Sequence, residues 1–296
     1  MIVSGLLPYA TLIAIFFINK GVNLRTNYLY SSIIWGSLVA VSTLVMSLWK
    51  GISPEAILVL WILLFLCSML LVVRDRISIL WPRLPWFLWV LISLAAIPLM
   101  VGLLYPPNNW DSMTYHLPRI EHWLQNGSLA FYPTSIPRQN VMGQFAEIVL
   151  LQLRALSGSD IYYNSLQWVA YVSTIINVSY IAMQLGASNR EQVVAAVIGG
   201  TIPMAVLQAS STQNDLIVSW WVTSLASLTL LWWKKGTVIN GLLWGAALGL
   251  ACMTKGTAYP FSFVFGVFFL VLTARDLRKR FFIACCAGVI FLMFNL

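Results

Sequence analysis

Long apolar runs separated by short polar punctuation carry this chain from one end to the other. A bilayer-spanning helix needs about 20 mostly apolar residues. Such runs fall at 2–18, 28–48, 56–73, 85–104, 160–184, 191–209, 215–233, 238–253, 257–273 and 281–296. The rhythm is broken at length only over residues 105–159. There Leu117, Ile120 and Leu124 recur at helical spacing beside Trp123, while Arg119, Glu121 and Gln125 fall on other faces. Pro118 suits the first turn of that helix and Gly127 its end. A second amphipathic stretch, VMGQFAEIVLLQLRAL, covers 141–156. Both helices are expected to lie in the membrane interface, with Trp110, Tyr115, Trp123, Phe131 and Tyr132 at the depth of the aromatic belt.

The pattern predicts an all-α, polytopic membrane protein with about 10 transmembrane helices. N-terminal membrane helices are expected over 1–104, an extracytoplasmic loop with interfacial helices over 105–159, and further membrane helices over 160–296. The last run stops at Leu296 without a polar flank, so the C-terminal module is expected to be incomplete. No basic residue precedes the first run, which speaks against a cleavable signal peptide. Gly241, Gly245 and Gly249 form a doubled GxxxG, a spacing that lets two helices approach closely.

Composition narrows this picture. Hydrophobic residues make up 60% of the chain and charged residues 9%, against about 25% charged in a soluble domain. A water-facing surface cannot be covered with so little charge. The net charge of +8 is then read as loop anchoring rather than nucleic-acid binding. Lys20, Arg25, Arg74, Arg76, Arg83, Arg190, Lys234, Lys235, Arg275, Arg278, Lys279 and Arg280 fall on one side, twelve in all. Lys50, Arg119, Arg138, Arg154 and Lys255, five in all, fall on the other. The richer side is the expected cytoplasmic one. Cys67, Cys252, Cys285 and Cys286 all sit in apolar runs without zinc-ligand spacing.

Three polar motifs then share the outer face: NNWDSMTYHLPR at 108–119, SSTQND at 210–215 and MTKGTAY at 253–259. Asp111 is either a helix N-cap or a carboxylate placed as a general base. Asp215, beside Asn214, is either a cap complementing the helix dipole or a second acid that holds a metal or orients a hydroxyl. Two carboxylates and an asparagine make an incomplete metal site; no cofactor is required, and a divalent cation at Asp215 stays open. Lys255 either snorkels or joins Arg119 and Arg138 in a cationic patch for a phosphate. Tyr115 and His116 adjoin the acid and complete the substrate-binding candidates, His116 having a structural hydrogen bond as its alternative. His116 and His122 are six residues apart and do not face each other on a helix, so they share no metal. Glu147 is alone in an apolar stretch, either the solvent side of its helix or a pocket wall. No Walker loop, GxSxG elbow, HExxH or CxxC framework occurs, which argues against an ATP-driven pump and against zinc or serine hydrolases.

Taken together, NNWDSMTYHLPRIEHW, ASSTQNDL and MTKGTAYPF resemble the polytopic GT-C glycosyltransferases over roughly residues 85–275. The likeness is nearest to the bacterial mannosyltransferase-like group, related to protein O-mannosyltransferases and the lipid A aminoarabinose transferase. It implies a sugar donor on polyprenyl phosphate, an inverting transfer outside the inner (cytoplasmic) membrane, and Asp111 as the base that deprotonates an acceptor hydroxyl. It also implies a second polar site at Asp215 and a place near the donor phosphate for Lys255. Where many members carry paired acids, Asp111 is followed by Ser112. The rivals are a transporter or flippase of lipid-linked substrates, which would place polar groups near the midplane on interrupted helices, and a non-catalytic assembly subunit.

Overall fold

A computed structural model describes residues 2–18, 23–74 and 86–295, and among them every regular element is helical. Lys20, Arg76, Arg83 and Leu296 lie outside the described residues, as does the side chain of Lys279. The N-terminal part contributes α1 (Leu7–Ile18), α2 (Leu24–Leu48), α3 (Pro54–Arg74) and α4 (Trp86–Leu104). A single wide π turn, Ser112–His116, leads into α5 (Leu117–Asn126), then α6 (Arg138–Val141) and α7 (Phe145–Ser157). The remainder is α8 (Ser165–Gln184), α9 (Asn189–Gly200), α10 (Pro203–Gln208), α11 (Asp215–Lys234), α12 (Val238–Thr254), α13 (Ala258–Ala274) and α14 (Leu277–Asn295).

Local chemistry explains the boundaries. The Asn23 side chain accepts from the Arg25 N–H to start α2. Ser188 and Glu191 form a reciprocal capping box on α9. Gly127 (φ 63°) and Gly158 (φ 66°) end α5 and α7 in the left-handed conformation that glycine adopts without steric penalty.

Among the described residues, α2, α3, α8 and α11 are long and apolar enough to cross a bilayer. Shorter apolar helices occupy Ile2–Ile18, Leu91–Leu104, Val238–Thr254, Ala258–Ala274 and Arg280–Asn295. The expected span at 191–209 is not one helix. It divides into α9 and α10 at Thr201 and Ile202, because Pro203 has no N–H to continue the ladder and instead starts a new helix at its first turn. The Gly200 carbonyl left at the break accepts from the Tyr171 hydroxyl.

The core is aromatic. Trp35 of α2 stacks on Trp220 of α11, Trp220 on Trp221 at 4.2 Å, and Phe145 of α7 meets Trp221 edge-on. α2 is therefore packed into the helices that follow. Glycines set the closest helix contact: a Cβ at Gly245 would strike the Ala287 backbone, and Gly241 and Gly249 face Ile283 and Phe294 of α14.

The second expected interfacial helix takes a different place. Every residue of α7 except Arg154 is buried. Its polar residues face protein partners rather than water: Gln152 accepts from Trp61 Nε1 at 2.7 Å and donates to Thr43 Oγ1 at 2.6 Å. With twelve of its thirteen residues buried, α7 is a central strut of the 105–159 segment.

Candidate functional site

The three polar motifs meet at one end of the bundle. The Ser112 and Thr212 hydroxyls are hydrogen-bonded to each other. Asn214 Nδ2 donates to the Thr254 carbonyl at 3.4 Å, and the Gln144 N–H to the Met253 carbonyl at 2.7 Å. Gly143 lies flush on the Thr254 carbonyl, where any Cβ would collide. Gln139 fastens the other side, donating to the Thr114 carbonyl at 2.8 Å while accepting from the Tyr132 and Thr134 hydroxyls.

Two acid–cation pairs open onto this end. Asp111 immediately precedes the π turn and makes no side-chain capping bond; its carboxylate lies 3.7 Å from Arg138 Nη1, with the side chains 40% and 58% exposed. Turns of this type recur at functional sites. Asp215 is the first residue of α11, the capping position being held by Asn214 without a side-chain cap bond. Its Oδ1 accepts from Lys255 Nζ at 2.6 Å and its Oδ2 from Gln208 Nε2 at 3.4 Å. Neither acid, then, is used as a helix cap.

Tyr115, 7% exposed, lies within electrostatic reach of both acids. Burial first, then the negative charges of Asp111, Glu147 and Asp215, push its hydroxyl up to about 12, with Arg138 opposing.

His116 takes the structural alternative, and Arg119 departs from its expected place in a phosphate patch. The His116 ring is buried, its Nδ1 2.6 Å from Glu147 Oε1. The Arg119 guanidinium is buried as well, 3.7 Å from Glu147 and 4.4 Å over the Trp123 ring. It donates to the carbonyls of Met142 (3.1 Å) and Gly143 (2.9 Å). Burial raises the Glu147 carboxyl, but the charge and hydrogen bond of His116 and the charge of Arg119 outweigh it and hold the group below its ordinary value. Burial lowers Arg119, with Glu147 opposing. A phosphate cannot reach Arg119 without dismantling this cluster, so of the three expected phosphate-binding cations Arg138 and Lys255 remain accessible. Glu147 is neither a solvent-facing residue nor an open pocket wall; it is the buried counter-ion of two candidate site residues. Its lone charge inside an apolar run was the signal that could have found it. Gln139 and Gln208 carried no comparable signal.

The open cation question gains no ligand set: Asp215 faces Lys255 and Gln208, and among the described residues no three His, Cys, Asp or Glu groups cluster. What Asp215 does head is an open apolar slot of ≈ 380 Å³ between α8, the α9–α10 break and α11. Ile175, Val178, Ile202, Met204 and Leu216 line it, with Gln208 and Asp215 at its polar end. No protein-family model, curated protein or solved structure matches this chain.

Proposed function

We propose that this chain is a membrane glycosyltransferase of the GT-C type, moving a sugar from a polyprenyl-phosphate donor to an acceptor hydroxyl at the extracytoplasmic face of the cell membrane. One observation carries the reading. Two accessible carboxylates, each beside one accessible cation, open at the end of the bundle where the three polar motifs meet, and one pair heads an apolar slot. That is the polarity of an amphiphile with a charged head and a hydrocarbon tail.

In this reading the acceptor O–H proton passes to Asp111 as the acceptor oxygen forms its bond to the anomeric carbon. The bond from that carbon to the phosphate oxygen breaks on the opposite face, inverting the centre. The electron pair leaves on the phosphate, so no general acid is needed. Lys255 and Arg138 supply the positive charge that stabilises the departing group, an effect that grows as water is excluded. Asp215 holds Lys255 in place until the phosphate arrives, and the Tyr115 hydroxyl, kept protonated by its surroundings, is a hydrogen-bond donor at the same spot.

The test is sugar transfer by the full-length protein in proteoliposomes loaded with polyprenyl-phosphate sugars. Loss of a general base costs about 10²-fold or more, so Asp111→Asn is expected to fall by that factor with the fold intact. A variant transferring at the parent rate removes Asp111 as base.

The broken α9–α10 rod favours a second reading, since interrupted helices line the paths of transporters. A transporter moves its lipid-linked substrate between leaflets chemically unchanged, which the same proteoliposomes distinguish from transfer.

A further inference from the structure

At the opposite end of the bundle, α8 and α13 both pack on α11 and leave a second groove, of ≈ 540 Å³, between them. Ala226 and Thr229 line it from α11, and the Thr229 hydroxyl is already engaged, donating to the Leu225 carbonyl and accepting from Trp244 Nε1. Leu185, Trp233 and Phe268, all exposed, extend its apolar walls. Arg275 is the one charged residue on the lining. Lys234 and Lys235 end α11 close by, and Lys234 Nζ donates to the Gln184 carbonyl, beside the lining residue Leu185. Arg278 is exposed one turn beyond Arg275. Among the described residues none of these four cations forms an ion pair, although Asp276 adjoins Arg275.

An apolar groove closed at one end by uncompensated cations has the polarity of a phospholipid with a net negative headgroup. A second protein helix would fill the walls but would leave Arg275 and both lysines without counter-charge. A zwitterionic lipid brings a second cation into the same patch. We propose that this groove is a binding site for an anionic phospholipid of the adjacent leaflet, one acyl chain lying along α11 between α8 and α13 and the phosphate resting on Arg275, flanked by Lys234 and Lys235. Lysine and arginine at a membrane surface attract anionic headgroups in this way. The site lies away from Asp111 and Asp215 and stands whether or not the chain transfers sugars.

The experiment is native mass spectrometry of the full chain released from nanodiscs made of equal parts phosphatidylglycerol and phosphatidylcholine. Phosphatidylglycerol is expected to be retained about tenfold over phosphatidylcholine, one molecule per chain, and Arg275→Glu to abolish that preference. Ala226→Trp, which fills the groove floor, is expected to reduce retention of both lipids with an unchanged melting temperature. Arg278→Glu, off the lining, is expected to keep the preference. Equal retention of the two lipids overturns the proposal, as does a preference that survives Arg275→Glu or is lost equally in Arg278→Glu. A lipid-free dimer abolished by Ala226→Trp assigns the groove to a second copy and overturns it too. If Ala226→Trp does not fold, the two arginine variants decide alone.

Discussion

Two sets of charged groups lie within nine residues along the 111–119 segment and do opposite work. His116 and Arg119 turn inward to Glu147, at 1%, 3% and 0% side-chain exposure. Asp111 turns outward to Arg138, as Asp215 does to Lys255 on the neighbouring helix. The inward set sits where removing one partner strands another charge, an error of about 3–5 kcal/mol. The outward pairs are screened by water and each contribute about 0–1 kcal/mol to stability. Charged groups of the same kinds, acid against cation, therefore divide into a buried brace and an exposed surface. A pair worth little to the fold can be broken by a ligand at little cost, which is what a phosphate-binding cation requires.

The sharpest way to break the comparison is Glu147→Ala. It leaves Arg119 buried without its carboxylate, and thermal melting in detergent is expected to show a loss of about 3–5 kcal/mol or failure to accumulate folded protein. A variant as stable as the parent would make the inward cluster no brace at all. Acid sharpens it next. The folded Glu147 carboxyl lies below its ordinary 4.5, so its stabilising share is complete above that pH and drains away as pH falls through the lower folded value. The melting-temperature advantage of the parent over Glu147→Gln is accordingly expected to hold above pH 4.5 and to shrink below it. The smallest stability effects belong to Lys255→Gln and Arg138→Gln, each within about 1 kcal/mol by the same melting assay. Their transfer activity with polyprenyl-phosphate sugars is expected to drop about tenfold or more, since under the proposed mechanism each removes a charge that stabilises the departing phosphate. A large melting shift with unchanged transfer would exchange the roles of the two sets.

Much of the helical layout could be read directly from residue order. Pro118 and Gly127 bracket α5, and Gly241, Gly245 and Gly249 meet α14. The three polar motifs could be recognised too, because charge and amide groups between apolar runs are conspicuous. The misreadings share one cause. An amphipathic pattern records that one face is polar, not whether that face meets water or protein, so α7 passed for an interfacial helix although Gln152 bonds Trp61 and Thr43 and Glu147 bonds His116 inside the bundle. Arg119 passed for a phosphate ligand because its partners, Met142, Gly143 and Glu147, lie more than twenty positions away. The break at Pro203 had a local signal, which the surrounding hydrophobicity of 191–209 outweighed.

The flush seat of Gly143 against Thr254 has a mechanical corollary. Arg119 grips the carbonyls of Met142 and Gly143, Gln144 grips Met253, and Lys255 is two residues along. The mount of the cation and the segment bearing Asp111 are thus clamped into one stiff piece. A displacement of the Lys255 backbone would therefore be passed through Thr254 and Gly143 to Arg119, on the same segment as Asp111.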